Sequence, residues 1–348
     1  MRNLFEHFGQ SAARCGLVGA AALGLAALAS TPATAAAGTF TFKCSLVTIN
    51  DVQHEFCKRY IARVEKRTNG QIKGQIFPAG QLGAIPRQIE GVQTGTIEIF
   101  VTPPDFLVGV DPRFQALSAP FLFSDMDHAY RAINDPEFLN RYLNLAEAKG
   151  IKGVALYPAA PASFVSRHPI RTPDDMRGKK FRVLATPIET AMMASVGSAG
   201  VPMPWGETLP ALQQGAVDGV EAGLTVLVIF KYFDVVKWHT NTDHYIIHST
   251  AIVSKKWLDG LPAELQKAVV EEGPPVHAEL LAWIKNNYND SERIWKEKTK
   301  DGFIELTREQ RAVFRARMEG VDEKVAQQVA GLKELLDLLR AKSKQYAK

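Results

Sequence analysis

Beyond residue 37 the chain has no apolar run approaching the roughly 20 residues needed to cross a bilayer. It holds only 3 cysteines in 348 residues, so it is not a small fold stapled by disulfides and its stability must come from apolar cores. It has no block of like charge, and a net charge of +4 is thin over so many residues. That balance argues against nucleic acid as a partner and slightly favours anionic ligands. The sequence contains no G-x-G-x-x-G, no P-loop, no H-E-x-x-H and no G-x-S-x-G. No His–carboxylate–nucleophile set stands out by spacing, and no segment repeats. Enzyme classes marked by those motifs are therefore not indicated.

What is present begins with a leader. Arg2 and Arg14 give a basic start, Gly16 to Leu28 form a short apolar run, and A-x-A sites end at Ala35 and Ala37. This pattern predicts a signal peptide over residues 1–37, removed on secretion; the alternative is an uncleaved anchor. Export would place the mature chain in the periplasm. Cys44 and Cys57 remain there, on a predicted strand and helix. An oxidising compartment permits a bond between them. Two free thiols packed as small hydrophobes are the favoured reading.

Phe40, Phe42 and Cys44 alternate as in a strand, and Val52, Phe56, Tyr60, Ile61 and Val64 recur at helical spacing. Ile72, Gly74 and Ile76 make a second strand, and Ile97, Ile99 and Val101 a third. Residues 125–149 read as helical. A second strand–helix series runs over about 153–247, with Lys180 to Leu184 as its clearest strand. After Pro262 the chain is mostly helix, at Ala263–Glu271, Val276 to about Lys300, Arg308–Met318 and Asp322–Lys342. The expected fold is α/β with a largely parallel sheet. It has two lobes, 38–160 with about 248–287, and 161–247 with about 288–348. Crossings near residues 157–163 and 245–249 make a hinge, and the long helix braces both lobes.

The segment Pro169 to Gly223 carries the chemistry. Arg182 lies within a short strand, P-M-P-W-G-E follows, and then A-V-D-G-V-E-A-G. Ligands gather at loops beyond strand ends in open α/β sheets. An arginine fork fixed there matches a carboxylate. Spacing alone leaves Arg182 equally a sheet-edge surface residue. Trp205 is either a core tryptophan or a pocket wall. Glu221 orients Arg182 through a salt bridge or bonds a backbone amide. Thr102, Thr186 and Thr225 could lend hydroxyls to a ligand. His244 and His248 have the spacing of a helical metal pair, but Tyr245, Ile246 and Ile247 favour a strand, so no metal or other cofactor is expected.

Taken in order, G-Q-L-G at 80–83, G-T-I-E-I at 95–99 and A-P-F-L-F at 119–123 precede P-I-R-T-P-D-D-M-R-G-K-K-F-R-V at 169–183. P-M-P-W-G-E at 202–207, A-L-Q-Q-G-A-V-D-G-V-E at 211–221 and S-K-K-W-L-D-G-L-P at 254–262 complete the set. With these pieces the chain resembles the extracytoplasmic solute-binding proteins of TRAP transporters, the DctP type. The resemblance implies two α/β lobes enclosing a small organic acid, which is delivered to a sodium-driven membrane permease. It implies that Arg182 clamps the ligand carboxylate, and a monomer is expected. Val220 and Ala222 stand where the family commonly has Gln and Asn, Ala162 where sialic-acid-type members place a second arginine, and Pro103 ends a strand lacking their charged side chains. The resemblance with these losses implies a small monocarboxylate of apolar or aromatic character rather than a sugar acid or dicarboxylate. A receptor for another transporter, a sensor domain and a secreted hydrolase are the alternatives.

Overall fold

The computed structural model describes residues 39–347, so the leader predicted over residues 1–37 lies outside the described residues. The chain opens as β1 (Phe40–Ser45), α1 (Val52–Arg67), β2 (Ile72–Phe77), α2 (Ile85–Thr94) and β3 (Ile99–Thr102), followed by α3 (Met126–Ile133) and α4 (Pro136–Leu143). The long strand β4 (Ile151–Ser166) leads into β5 (Lys180–Val183), α5 (Pro187–Ser195), β6 (Ala199–Pro202), α6 (Trp205–Gln213), β7 (Gly219–Gly223), α7 (Leu224–Ile229) and β8 (Trp238–Asn241). The chain then returns through β9 (Ile246–Ser254), α8 (Lys255–Asp259), α9 (Ala263–Glu271), α10 (Gly273–Thr299) and β10 (Phe303–Glu305). It ends with α11 (Arg308–Met318), α12 (Val321–Ala326) and α13 (Leu332–Tyr346).

The helices start where the sequence supplies caps. Asp51 accepts a hydrogen bond from the His54 amide at the start of α1. Thr186 and Glu189 close a reciprocal capping box around Pro187 at the head of α5. The prolines Pro274 and Pro275 sit in the first turn of α10, where no intrahelical donor is lost, so the helix begins three residues before Val276. The single helix expected over 322–342 is two, because Gly331 adopts φ 74° between α12 and α13.

The strand order is β2-β1-β3-β9-β4-β7-β5-β6, with β8 also on β4 and β10 on β8. Pairing is parallel at both ends of this path, as the strand–helix alternation predicts. The middle is antiparallel, with β3 on β9, β9 on β4, and β4 on both β7 and β8. The largely parallel sheet expected from sequence therefore holds only away from β4 and β9. Strand β4 gives its first part to β9 and its last part to β7 and β8, joining two half-sheets. The β4–β9 ladder has register shifts at Gly153/Ala155 and Pro158/Ala160, where two residues oppose one and the strand bends.

Each half-sheet is packed on both faces. Phe42, Phe56, Tyr60, Val253 and Leu280 belong to one core of the first half, and Phe100, Phe138, Tyr142 and Ile252 to the other. Phe164, Phe181 and Met192 lie on one side of the second half, and Val220, Leu227, Tyr232 and Trp295 on the other. Helix α10, 27 residues and about 40 Å long, places Val276, Leu280 and Ile284 in a first-half core and Trp295 in a second-half core. Helix α13 does not join the second half, where residues 288–348 were expected. Its Leu332, Leu335, Leu336 and Leu339 enter the first-half core beside Phe138 and Tyr142. The Ser343 carbonyl lies 2.8 Å from His128 Nε2 of α3.

Cys44 and Cys57 are bonded, with Cα atoms 6.1 Å apart. This corrects the free-thiol reading. Facing positions on β1 and α1, both in one core, bring the two thiols within bonding range.

Candidate functional site

Arg182 sits in the middle of β5, between Val201 of β6 and Val220 of β7, so it is not a sheet-edge residue. It is 2% exposed. A buried guanidinium must be hydrogen-bonded, and backbone carbonyls do this. Nε and Nη2 donate to the Met203 carbonyl at 3.0 and 2.9 Å, and Nη1 donates to the Glu221 carbonyl at 3.0 Å. Of the five N–H groups of an arginine, one on each terminal nitrogen is left over. Those two N–H groups have no partner among the described residues, and an arginine pair of this kind can meet a carboxylate. The guanidinium carbon lies 5.6 Å from the centre of the Trp205 ring. Burial pulls the Arg182 pKa down, while Glu189, Tyr232 and Glu221 push it back up.

The carbonyl pair exists because of local sequence. Pro204 carries the chain into α6 just after Met203, turning the Met203 carbonyl back toward β5. β7 runs parallel beside β5 and brings the Glu221 carbonyl alongside. The Glu221 carboxylate points elsewhere. Its Oε2 lies 3.0 Å from His244 Nε2, and its Oε1 accepts from the Tyr245 hydroxyl at 3.1 Å. Neither expected alternative, a salt bridge to Arg182 or a bond to a backbone amide, is among the contacts of this carboxylate in the described residues, and Glu221 supports the arginine through its backbone carbonyl. The Tyr245 hydroxyl also lies 2.8 Å from Glu189 Oε1. One hydroxyl proton serves one carboxylate only, and Glu189 supplies the other proton itself. Burial, with Asp105 and Glu221 nearby, pushes the Glu189 pKa far above its usual range. Asp105 is raised to about 6, chiefly by burial, and its Oδ1 accepts from Ser118 Oγ at 2.8 Å.

Arg182 faces a cavity of about 740 Å³, counting the space at its mouth. Of the residues expected at the site, Arg182, Trp205, Ala222, Pro103 and Thr225 line it together. Thr102, Thr186 and Glu221 do not. Thr102 is buried at the end of β3, and Thr186 spends its hydroxyl capping α5. Ala162, where a second arginine was sought, is enclosed in the core on β4. Val220 likewise points into a core. The walls are mostly apolar, with Val47, Ile85, Phe106, Leu184, Ile247 and Trp283 among them.

Sequence reasoning missed a polar contribution to this cavity. Thr48 and Asp51 come from the loop after β1, Gln53 from α1, Ser249 from β9 and Asn287 from α10. The first three were open to detection, because the loop after the first strand is a standard ligand position in open α/β sheets. Ser249 and Asn287 gave no such signal. Arg182 is the only cation and Asp51 the only acid among the lining residues.

His239, His244 and His248 are placed separately within the fold. His244 lies before β9 and faces Glu221, while His248 is buried on β9. His239 Nε2 lies 2.8 Å from Ser163 Oγ. Burial lowers His239 and His248 to about 3. Among the described residues no three His, Cys, Asp or Glu side chains converge as metal ligands. No described helix is long and apolar enough to cross a membrane.

Comparison with known proteins agrees with this geometry. Residues 45–328 match the profile of the bacterial extracellular solute-binding protein family 7, DctP. The 2,3-diketo-L-gulonate-binding periplasmic protein YiaO of Escherichia coli (strain K12) is 30% identical over 248 residues, covering 71% of this chain and 74% of that protein. The C4-dicarboxylate-binding periplasmic protein DctP of Rhodobacter capsulatus is 29% identical over 321 residues, covering 90% and 93%. The crystal structure of a TRAP periplasmic solute-binding protein from Desulfovibrio salexigens with bound orotic acid superposes with a TM-score of 0.84 at 26% identity, covering 89% of this chain and all of that one. With a matched profile across most of its length, the chain belongs to family 7 of the bacterial extracellular solute-binding proteins, the DctP family of TRAP solute-binding proteins.

Proposed function

We propose that the protein is a periplasmic receptor that encloses a small organic monocarboxylate and hands it to the membrane subunits of a sodium-driven TRAP permease. Residues 1–37 export the chain and are then removed, and the receptor works as a monomer. Its two half-sheets close on the ligand by bending where β4 and β9 change register. The observation that carries the reading is Arg182. It is buried on the cavity wall, fixed by two carbonyls, and left with one unpaired N–H on each terminal nitrogen.

The rest of the ligand meets Trp205, Phe106 and Trp283, which offer wide apolar faces. This favours an acid with a ring or branched body. A second carboxylate would find no second cation among the lining residues, so dicarboxylates are disfavoured. The related proteins span several kinds of acid. One is described as binding C4-dicarboxylates, another 2,3-diketo-L-gulonate, and one was solved with orotic acid, a planar ring monocarboxylate. Titration calorimetry against ring monocarboxylates, dicarboxylates and hexuronates tests the proposal. Ring monocarboxylates should bind most tightly. Tight binding of a dicarboxylate or hexuronate, with no ring acid bound, would overturn it.

A further inference from the structure

Two amide side chains on the cavity wall leave their nitrogens unused. Gln53 stands in the first turn of α1 and is 6% exposed, and Asn287 lies midway along α10. Asn287 follows Trp283 by one helical turn, so both fall on the face of α10 that lines the cavity. Helix α1 packs against α10, so the two amides come from adjoining elements although they are far apart in the chain. Gln53 Oε1 and Asn287 Oδ1 are enclosed and have no partner. Gln53 Nε2 and Asn287 Nδ2 are neither enclosed nor hydrogen-bonded among the described residues. This orientation has a physical reason. An amide nitrogen carries two N–H groups, and turning either amide round would enclose two donors in place of one acceptor. Each enclosed group without a partner costs stability, so the arrangement with the nitrogens outward is the less costly one.

Resting on the carboxylate reading above, we propose that Gln53 and Asn287 form a second recognition pole, which reads a neutral hydrogen-bond acceptor on the ligand, a carbonyl oxygen or a ring nitrogen. Gln53 belongs to the first half of the fold and Arg182 to the second, so the acceptor is carried on the body of the ligand rather than at its carboxylate. Amide N–H groups only donate, and these two nitrogens have no protein acceptor to give up when a ligand arrives. Neutrality follows from the charges. Arg182, the only cation among the lining residues, is taken by the carboxylate. Asp51, the only acid there, stands two residues before Gln53 and already accepts from the His54 amide. A second carboxylate at this wall would share it with Asp51 and find no cation. A neutral acceptor meets neutral donors instead. A site that hydrogen-bonds a polar group rejects the analogue lacking it far more strongly than an apolar wall rejects an extra methylene. The ligand class thus narrows to monocarboxylates whose ring or branched body bears a carbonyl or a ring nitrogen.

The test uses matched acids on the full mature chain, above neutral pH where a pyridine nitrogen is unprotonated. One pair is cyclohexanecarboxylate and 4-oxocyclohexanecarboxylate, and the other is benzoate and isonicotinate. Pyrrole-2-carboxylate, whose ring offers an N–H and no acceptor, is the control. Calorimetry on the unsubstituted protein should show the acceptor-bearing member of at least one pair binding about tenfold more tightly or better. Gln53→Met and Asn287→Leu, made separately, keep the size of the side chain and remove the donor. Each should shrink that ratio while the acceptor-free acid binds as it does to the parent. If the amides were merely structural, both members would weaken together and the ratio would stay, which would overturn the pole. Tighter binding of pyrrole-2-carboxylate than of every acceptor-bearing acid would overturn it too. Equal affinity within both pairs would overturn the pole and leave the carboxylate reading intact. Binding of none of these acids would overturn the carboxylate reading, and the pole with it.

Discussion

Replacing Arg182 by lysine keeps the charge and removes the planar fork. The guanidinium spends three N–H groups on the Met203 and Glu221 carbonyls and retains two. An ammonium has three in all. Serving both carbonyls would use two of them and leave one for the ligand, so one charge-assisted bond is lost. Such bonds contribute about 1.5–3 kcal/mol. At about 1.4 kcal/mol per tenfold, the dissociation constant should rise roughly ten- to a hundredfold. Lysine cannot lie in the guanidinium plane, so a carbonyl left unserved would add about 1–3 kcal/mol of destabilisation. Calorimetry with the tightest-binding acid measures the first effect, and urea unfolding without ligand measures the second. An unchanged dissociation constant in a protein that unfolds like the parent would remove Arg182 from the binding site.

Three further outcomes are expected. Tyr245→Phe removes the hydroxyl shared by Glu189 and Glu221 and should cost about 1–3 kcal/mol in urea unfolding. A change below about 0.5 kcal/mol would show that the two carboxyls do not depend on it. Asp105 titrates at about 6 in the fold against 3.8 ordinarily, so the folded state binds its proton more readily. The resulting stability is present below about pH 4 and lost as pH rises through about 6. The unfolding temperature of the parent relative to Asp105→Asn should fall across that window and level off above it, and a flat difference would refute the shift. Reducing the Cys44–Cys57 bond, which closes a separation of 13 residues, should lower stability by about 3 kcal/mol, read as a drop in melting temperature on adding dithiothreitol.

The parts of the site legible in the sequence are those built from one continuous stretch. Arg182, Trp205, Ala222 and Thr225 lie within 44 residues on a single βαβαβα run, and the motif order fixes their positions relative to one another. Local pattern also fixed most helices, including Ala263–Glu271 and Arg308–Met318. Three expectations failed for reasons of direction. Thr186 and Glu221 have the right chemistry, but a capping box turns one inward and the alternation of β7 sends the other toward His244. Thr102 ends inside its own half-sheet. The polar wall was hidden because Gln53, Ser249 and Asn287 are far apart in the chain. They meet only through the antiparallel return of β9 and the crossing of α10. The misjudged fate of the last helix has the same origin, since no local pattern says which half receives Leu332 to Leu339.

The Cys44–Cys57 bond has a consequence for when the protein becomes competent. It joins β1 to α1 and so encloses the short stretch that holds Thr48, Asp51 and Gln53, with Gln53 one helical turn before Cys57. A reducing cytosol keeps thiols open, whereas an oxidising periplasm closes them. In the exported receptor proposed above, that wall of the cavity would be cross-linked only after export. In such a receptor the oxidation that completes the fold would also latch the wall that carries Thr48, Asp51 and Gln53.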